Sequence, residues 1–334
     1  QALSIQRRVL GPGHHDTIET MTLLGGLLSD EGNYKEAEKV EREQLAIDRK
    51  ILGPDNRATL KMSFWLGITL NGEERYAEAE SVLRQTLATQ QRVLGPDDPQ
   101  TIMTMDGLAN AVQSEGHISE AEKEYRSLVE ISRRVVGPEN TNTLSAMENL
   151  ATALLQQDRF SEAEQQYRDV LAIDRKIFGS EHPDLAITLA NLGTTLDYEG
   201  KLVDADTNLR EALAMDQHLL GSDNPSTLSI RESLAVVNSQ MGYYADAKEQ
   251  FLAIIRAHEK TGQPGVLANA WYMFACAAAV ANHKDEAIEY LGKAVDLDLP
   301  SAQLTNEPHF DSLHGDPRYE AVIARGTAPV ATPH

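Results

Sequence analysis

In the middle of the chain apolar residues return every three or four positions, in two separate stripes. Leu144, Met147, Leu150, Ala151 and Leu154 form the first, and Phe160, Ala163, Tyr167, Leu171 and Ile173 the second. Each stripe has the period of an α-helix with one face turned to a core. Gln157-Asp158-Arg159 breaks the run between them, and Gly179 ends the second. The pattern predicts two amphipathic helices joined by a tight turn, and no strand alternation competes with it.

The same unit recurs along the chain. Gly11, Gly53, Gly95, Gly137, Gly179 and Gly221 stand 42 residues apart, preceded by Leu10, Leu52, Leu94, Val136, Phe178 and Leu220 in turn. Pro12, Pro54, Pro96 and Pro138 follow the first four. Ala37, Ala79, Ala121, Ala163, Ala205 and Ala247 keep the same step in a second register. A glycine at a helix end can take the left-handed conformation that closes it, and a nearby proline stops its continuation. Asp98-Pro99, His182-Pro183 and Asn224-Pro225 predict the next helix start, a capping side chain ahead of a proline that needs no amide partner. The small Ala column lets paired helices approach closely. Neither helix can bury its stripe alone, so neighbouring pairs must stack. The predicted fold is all-α, a right-handed superhelical solenoid of antiparallel helix pairs. Residues 1–262 hold six such repeats preceded by the end of an earlier one, because Leu3, Ile5, Val9 and Leu10 read as the last turns of a helix. The chain therefore reads as a piece cut from a longer protein.

Composition narrows the function. Only 5% of the 334 residues are aromatic, which suits helices better than a sheet-rich domain. Thirty basic against 51 acidic residues give a net charge of -21, which argues against nucleic acid and anionic membranes as partners. No run approaches the ~18 apolar residues of a membrane span. The sole cysteine, Cys276, lies in an apolar run and reads as a core thiol, so no disulfide is expected and the expected location is cytoplasmic.

Four stretches of one repeat carry a family resemblance: Asn149-Leu150-Ala151, Phe160-Ser161-Glu162-Ala163-Glu164, Leu171-Ala172-Ile173 and Gly179-Ser180-Glu181-His182-Pro183. They resemble the tetratricopeptide repeat, in the 42-residue form of kinesin light chains, over about residues 1–262. Glu148 and Ala190 stand where that family has the first Asn of an Asn-Asn-Leu-Ala run. After Gly262 the register slips: Phe274 and Ala275 match Leu234 and Ala235 at a step of 40. Pro308-His309-Phe310-Asp311-Ser312-Leu313 and Gly315-Asp316-Pro317-Arg318-Tyr319 resemble the end-of-group segment that closes many bacterial tetratricopeptide arrays. Residues 263–326 are thus expected to form a divergent last repeat and a C-terminal cap, with Phe310, Leu313, Tyr319 and Val322 covering the open face. Residues 327–334 are expected to be a disordered tail.

No catalytic constellation is present. GxxxxGK[ST], HExxH and GxSxG are all absent from the sequence. His14 and His15 read as capping or solvent-exposed residues, and Glu36/Glu38 and Glu162/Glu164 as an exposed second-helix face. Arg7-Arg8, Arg49-Lys50, Arg133-Arg134 and Arg175-Lys176 fall in last turns, where they complement the helix dipole. No enzyme activity, cofactor, metal or catalytic residue is expected.

What the resemblance implies is a protein- or peptide-binding scaffold in which the first helix of each pair lines a concave groove. By helical phase Lys61, Trp65, Ile68, Met103, Asp106, Asn110, Glu148, Asn149, Thr152, Ala190, Asn191, Thr194, Glu232 and Val236 project there. Asn149 and Asn191 match the family's groove asparagines, whose amides can pair with a ligand's main chain. Trp65 reads either as an exposed anchor or as packing between first helices. Asp106, Glu148 and Glu232 favour a basic segment. Within a larger bacterial multidomain protein this would be the binding module. The alternative is a structural element that self-associates by stacking through the array's ends.

Overall fold

Each predicted helix start is fixed by the same device. His14, Asn56, Asp98, Asn140, His182 and Asn224 stand 42 residues apart. Each accepts a hydrogen bond on its side chain from the amide two residues on, satisfying one of the helix's orphan donors. A second column reinforces the first: the hydroxyls of Thr17, Thr59, Thr101, Thr143 and Thr227 donate to the carbonyls of Gly11, Gly53, Gly95, Gly137 and Gly221 at 2.8–2.9 Å. These threonines are buried, so the bond closes the loop from inside the core. Leu185 replaces the threonine in one repeat, where the Phe178 and His182 rings stack at 3.9 Å instead. The glycine column has φ between 80° and 97°, as a left-handed helix stop requires.

The computed structural model describes residues 2–300 and 308–326. The tail expected at 327–334 lies outside them. Two compact units, Gln1–Gln166 and Tyr167–His334, divide the chain. The first holds α1 (Ala2–Val9), the pairs α2 (His15–Asp30) and α3 (Tyr34–Ile51), α4 (Arg57–Gly72) and α5 (Tyr76–Val93), α6 (Pro99–Ser114) and α7 (Ile118–Val135), and then α8 (Thr141–Leu155). Helix α9 (Phe160–Phe178) begins in this unit and ends in the next. The second unit continues with α10 (Pro183–Tyr198) and α11 (Leu202–Leu219), α12 (Pro225–Gln240) and α13 (Tyr244–Thr261), and α14 (Pro264–Val280) and α15 (Lys284–Val295). A 3₁₀ helix at Pro308–Leu313 and α16 (Pro317–Gly326) end it. The architecture is an all-α solenoid of antiparallel helix pairs, with no strand among the described residues. None of these helices is long and apolar enough to cross a membrane.

Within each unit every helix packs on the next, and first helices also touch one another: α4 with α6, α10 with α12, and α12 with α14. Close approach inside a pair depends on small residues. The Ala column is fully buried. A Cβ added at Gly67 would lie 2.5 Å from Leu83 Cγ, and one at Gly193 2.6 Å from Leu209 Cγ. At the far end α14 and α15 build an aromatic core instead, in which Phe274 stacks on Phe251 at 4.9 Å and on Tyr290 at 4.0 Å. Phe310, Leu313, Tyr319 and Val322 are buried against that core.

Second helices carry an ion-pair ladder on their outer face. Arg42, Arg84, Arg126 and Arg210 share one column. Arg42 donates to Glu38 within its helix at 2.7 Å and to Glu78 of the next second helix at 2.5 Å. Arg84 joins Glu80 and Glu120 in the same way, and Arg126 joins Glu122 and Glu162. Burial pushes Glu38 up, but hydrogen bonds from Arg42 and Arg75 outweigh it and hold the carboxyl below its ordinary range. Some last-turn basic residues are tethered as well. Arg92 donates to Asp55 at 2.8 Å and Lys260 to Asp223 at 2.7 Å, each clamping a second helix to the loop that opens its own repeat. Such half-exposed pairs each contribute about 0.2–1 kcal/mol.

Candidate binding face on the first helices

The residues expected from the sequence to line a groove lie on the first helices α4, α6, α8, α10 and α12. In the first unit, Asp106 and Asn110 lie one turn apart on α6, with Asn149 on α8 beside them. Asn149 Nδ2 donates to Asp106 Oδ1 at 3.4 Å, and Asn110 Nδ2 donates to the Asp106 carbonyl at 2.9 Å. The buried Tyr125 hydroxyl lies 2.9 Å from the side-chain oxygens of both Asn110 and Gln113. Burial holds the Asp106 carboxyl above its usual range, and the amides of Asn149 and Asn110 offset this only in part. Asn149, offered from sequence as a main-chain reader, is thus engaged with a neighbouring carboxylate. Glu148 and Thr152 occupy the next positions of α8, half-buried, with the Thr152 hydroxyl on the Glu148 carbonyl at 3.0 Å. Met103 is exposed on α6. Ile68 is half-buried, and a Cβ at Gly107 would meet its Cδ1 at 2.8 Å, so Ile68 belongs to the α4–α6 contact.

Lys61 and Trp65 line a separate cavity of about 500 Å³ between α2, α3 and α4. Trp65 is 37% exposed and meets Phe64 edge-on at 5.1 Å. Lys61 is exposed at the rim.

In the second unit Thr194, Glu232 and Val236 line one open cavity of about 650 Å³. Asn191 and Ala190 sit half-buried one turn earlier on α10. Asp197, Tyr198, His258, Met273 and His309 also line it, and none of these was expected from the sequence. Asp197 follows Thr194 by three residues on the same helical face, so its phase was readable; His258 comes from a second helix, which the sequence assigns to the outside. Burial raises Glu232, and it raises Asp197 against a weaker opposing hydrogen bond from Gln240. His258 is lowered by the same desolvation. Among the described residues no lysine or arginine lines this cavity.

A tetratricopeptide repeat profile matches residues 1–50, 56–134, 119–176 and 143–218, and a second one residues 268–300. The chain belongs to the tetratricopeptide repeat family. No curated protein sequence matches it. Among solved structures, it is similar to the TPR-like repeats named for a kinesin light chain of Podosopora anserina, at 24% identity and a TM-score of 0.55, over 62% of this chain and 99% of that one. BtubC (BKLC) of P. vanneervenii is 20% identical over 69% of this chain and 91% of its own, with a TM-score of 0.57. A STAND signal-transduction ATPase with a tetratricopeptide repeat sensor, from Pyrococcus horikoshii, reaches a TM-score of 0.66 at 14% identity, covering 84% of this chain and 41% of that one. These likenesses show the fold.

Among the described residues one group of acidic and histidine side chains comes together, Glu80, Glu115 and His117, whose ligand atoms lie within 4.8 Å of one another. Glu80 accepts from Arg84 at 2.6 Å, which makes it a rung of the outer ladder.

Proposed function

We propose that the first-helix face is a groove for a protein or extended peptide segment and that it favours basic residues. The observation that carries this reading is the second unit's cavity. Glu232 and Asp197 share it, both desolvated, with no lysine or arginine among the described residues of its lining. A carboxylate held in a partly dry site is raised in energy, and a ligand cation relieves it. Asp106 offers the same chemistry in the first unit. The net charge of -21 argues against nucleic acid, and the sole, buried cysteine fits a reducing cytoplasm. The 42-residue period supports a kinesin-light-chain-type binding module, here working as part of a larger bacterial multidomain protein. The test is a peptide array of matched acidic and basic sequences, repeated with Glu232→Gln, Glu148→Lys and Trp65→Ala. Basic members bind better and each substitution weakens them. A preference for acidic peptides, or no effect of any substitution, overturns the proposal.

One observation favours self-association as a second reading. Helix α1 buries no residue fully and exposes Ile5 and Val9, with Leu10 exposed just beyond its end. Concentration-dependent sedimentation abolished by Ile5→Lys with Val9→Lys supports it; a monomer at all concentrations excludes it.

A further inference from the structure

One polar column runs through the second helices, each member 42 residues after the last: Asp48, Gln90, Ser132, Asp174 and Asp216, all buried, and then the half-buried His258. Where the column holds aspartate, the following first helix supplies a hydroxyl. Asp174 Oδ2 accepts from Thr188 at 2.9 Å, and Asp216 Oδ2 from Ser226 at 2.6 Å. Asp48 is the exception. The repeat equivalents of Thr188 and Ser226 facing it are Met62 and Ala58, neither of which has a side-chain donor. Asp48 is 1% exposed and Gln44 4%, and both Asp48 Oδ1 and Gln44 Oε1 lack a hydrogen-bond partner. Burial pushes the Asp48 carboxyl up, opposed by Gln44 alone. Asp48, Gln44, Ala58 and Met62 all line the 500 Å³ cavity that Trp65 borders.

An unpaired buried acceptor is costly, and two at the base of an open cavity mark a place for a donor. We propose that this cavity takes an arginine side chain of a protein partner. The guanidinium has donors in a planar fork, enough to reach the Asp48 carboxylate and the Gln44 carbonyl together. Its aliphatic stem lies against Met62 and Ile51, and its plane can stack on Trp65. At the rim Glu19 and Lys61 carry opposite charges, so neither sign of ligand is excluded there. The proposal rests on the basic-segment reading for its partner class and specifies the residue and the pocket.

The experiment titrates the whole chain with a short peptide carrying one arginine and with its citrulline counterpart, which keeps the shape and loses the charge. Heat of binding and the fluorescence of a Trp271→Phe background, in which Trp65 alone reports, are both followed. The arginine peptide binds at least about tenfold more tightly than citrulline, and Asp48→Asn removes that difference. Met62→Thr and Ala58→Ser are the sharper variants, because each restores an internal hydroxyl: they raise the melting temperature and weaken arginine binding. Equal affinity for citrulline, or arginine binding unchanged in Met62→Thr and Ala58→Ser, overturns the assignment. Basic peptides that still respond to Glu232→Gln while ignoring the Asp48 pocket sink this inference and leave the groove reading standing.

Discussion

The repeats up to Gly242 and the segment from Tyr244 to Val322 solve one problem in different ways. In the former, stability comes in small polar instalments that recur every 42 residues: a capped helix start, a Thr hydroxyl on a Gly carbonyl, an arginine between two glutamates. In the latter the step is lost after Gly262 and, apart from the Asp316 cap on the Arg318 amide, these devices lapse. Phe251, Phe274 and Tyr290 stack there, and Tyr244, Tyr290 and Lys248 converge on Glu286 Oε2 at 3.0, 2.8 and 2.6 Å. Regular repeats face an identical neighbour and can reuse one set of contacts, whereas the last pair meets α16 and the 3₁₀ helix and needs a core of its own. The two tryptophans divide conveniently between these regions, Trp65 in the first and Trp271 in the second.

The largest effect belongs to the aromatic core. Phe274→Ala should cost about 3–5 kcal/mol, read as early loss of the Trp271 signal in denaturant while Trp65 is less affected. Simultaneous loss of both signals would show that the regions unfold as one. Thr101→Val leaves the Gly95 carbonyl without its buried donor and should cost about 1–3 kcal/mol, seen first at Trp65. Glu74 takes φ of 62° at a turn where Gly32, Gly116, Gly200 and Gly242 occupy the equivalent positions. Glu74→Gly should therefore stabilise by about 1 kcal/mol, by a denaturant midpoint measurement. A smaller, pH-dependent difference separates the regions too. The Lys248 hydrogen bond, helped by Tyr290 and Tyr244, holds Glu286 down to about 2 against its burial. Its folded pKa lies below the unfolded one, so its contribution is complete above the ordinary carboxylate range and is lost as pH falls toward 2. Between about pH 5 and 2 the Trp271 region of wild type should lose more stability than that of Glu286→Gln; equal losses would remove Glu286 from the account.

Much of the fold was legible because glycine, proline and alanine mark backbone events directly. Gly179, Pro183 and Ala163 locate a helix end, a helix start and a close contact without any knowledge of the neighbours. Thr101 was not legible in the same way, since one hydroxyl in a first turn leaves no apolar period. The ladder was hidden for another reason: Arg42 and Glu78 are 36 residues apart, a spacing that acquires meaning only once second helices are known to lie side by side. Of the binding face, helical phase brought Thr194 and Glu232 to one cavity from two repeats. Asp48 escaped because an aspartate beside Arg49 reads as surface, and only the packing of Met62 and Ala58 shows it to be buried and unmatched.

The central claim is that desolvated carboxylates on the first helices make this face a receptor for cationic segments. The most direct measurement is the affinity of one lysine- and arginine-containing peptide for the whole chain across a salt series, compared with Glu232→Gln. Exposed charges are screened within ~8 Å at physiological ionic strength, so affinity should fall steadily with salt in the wild type and less steeply in the variant. Affinity that is independent of salt, with identical slopes for both proteins, would contradict the account.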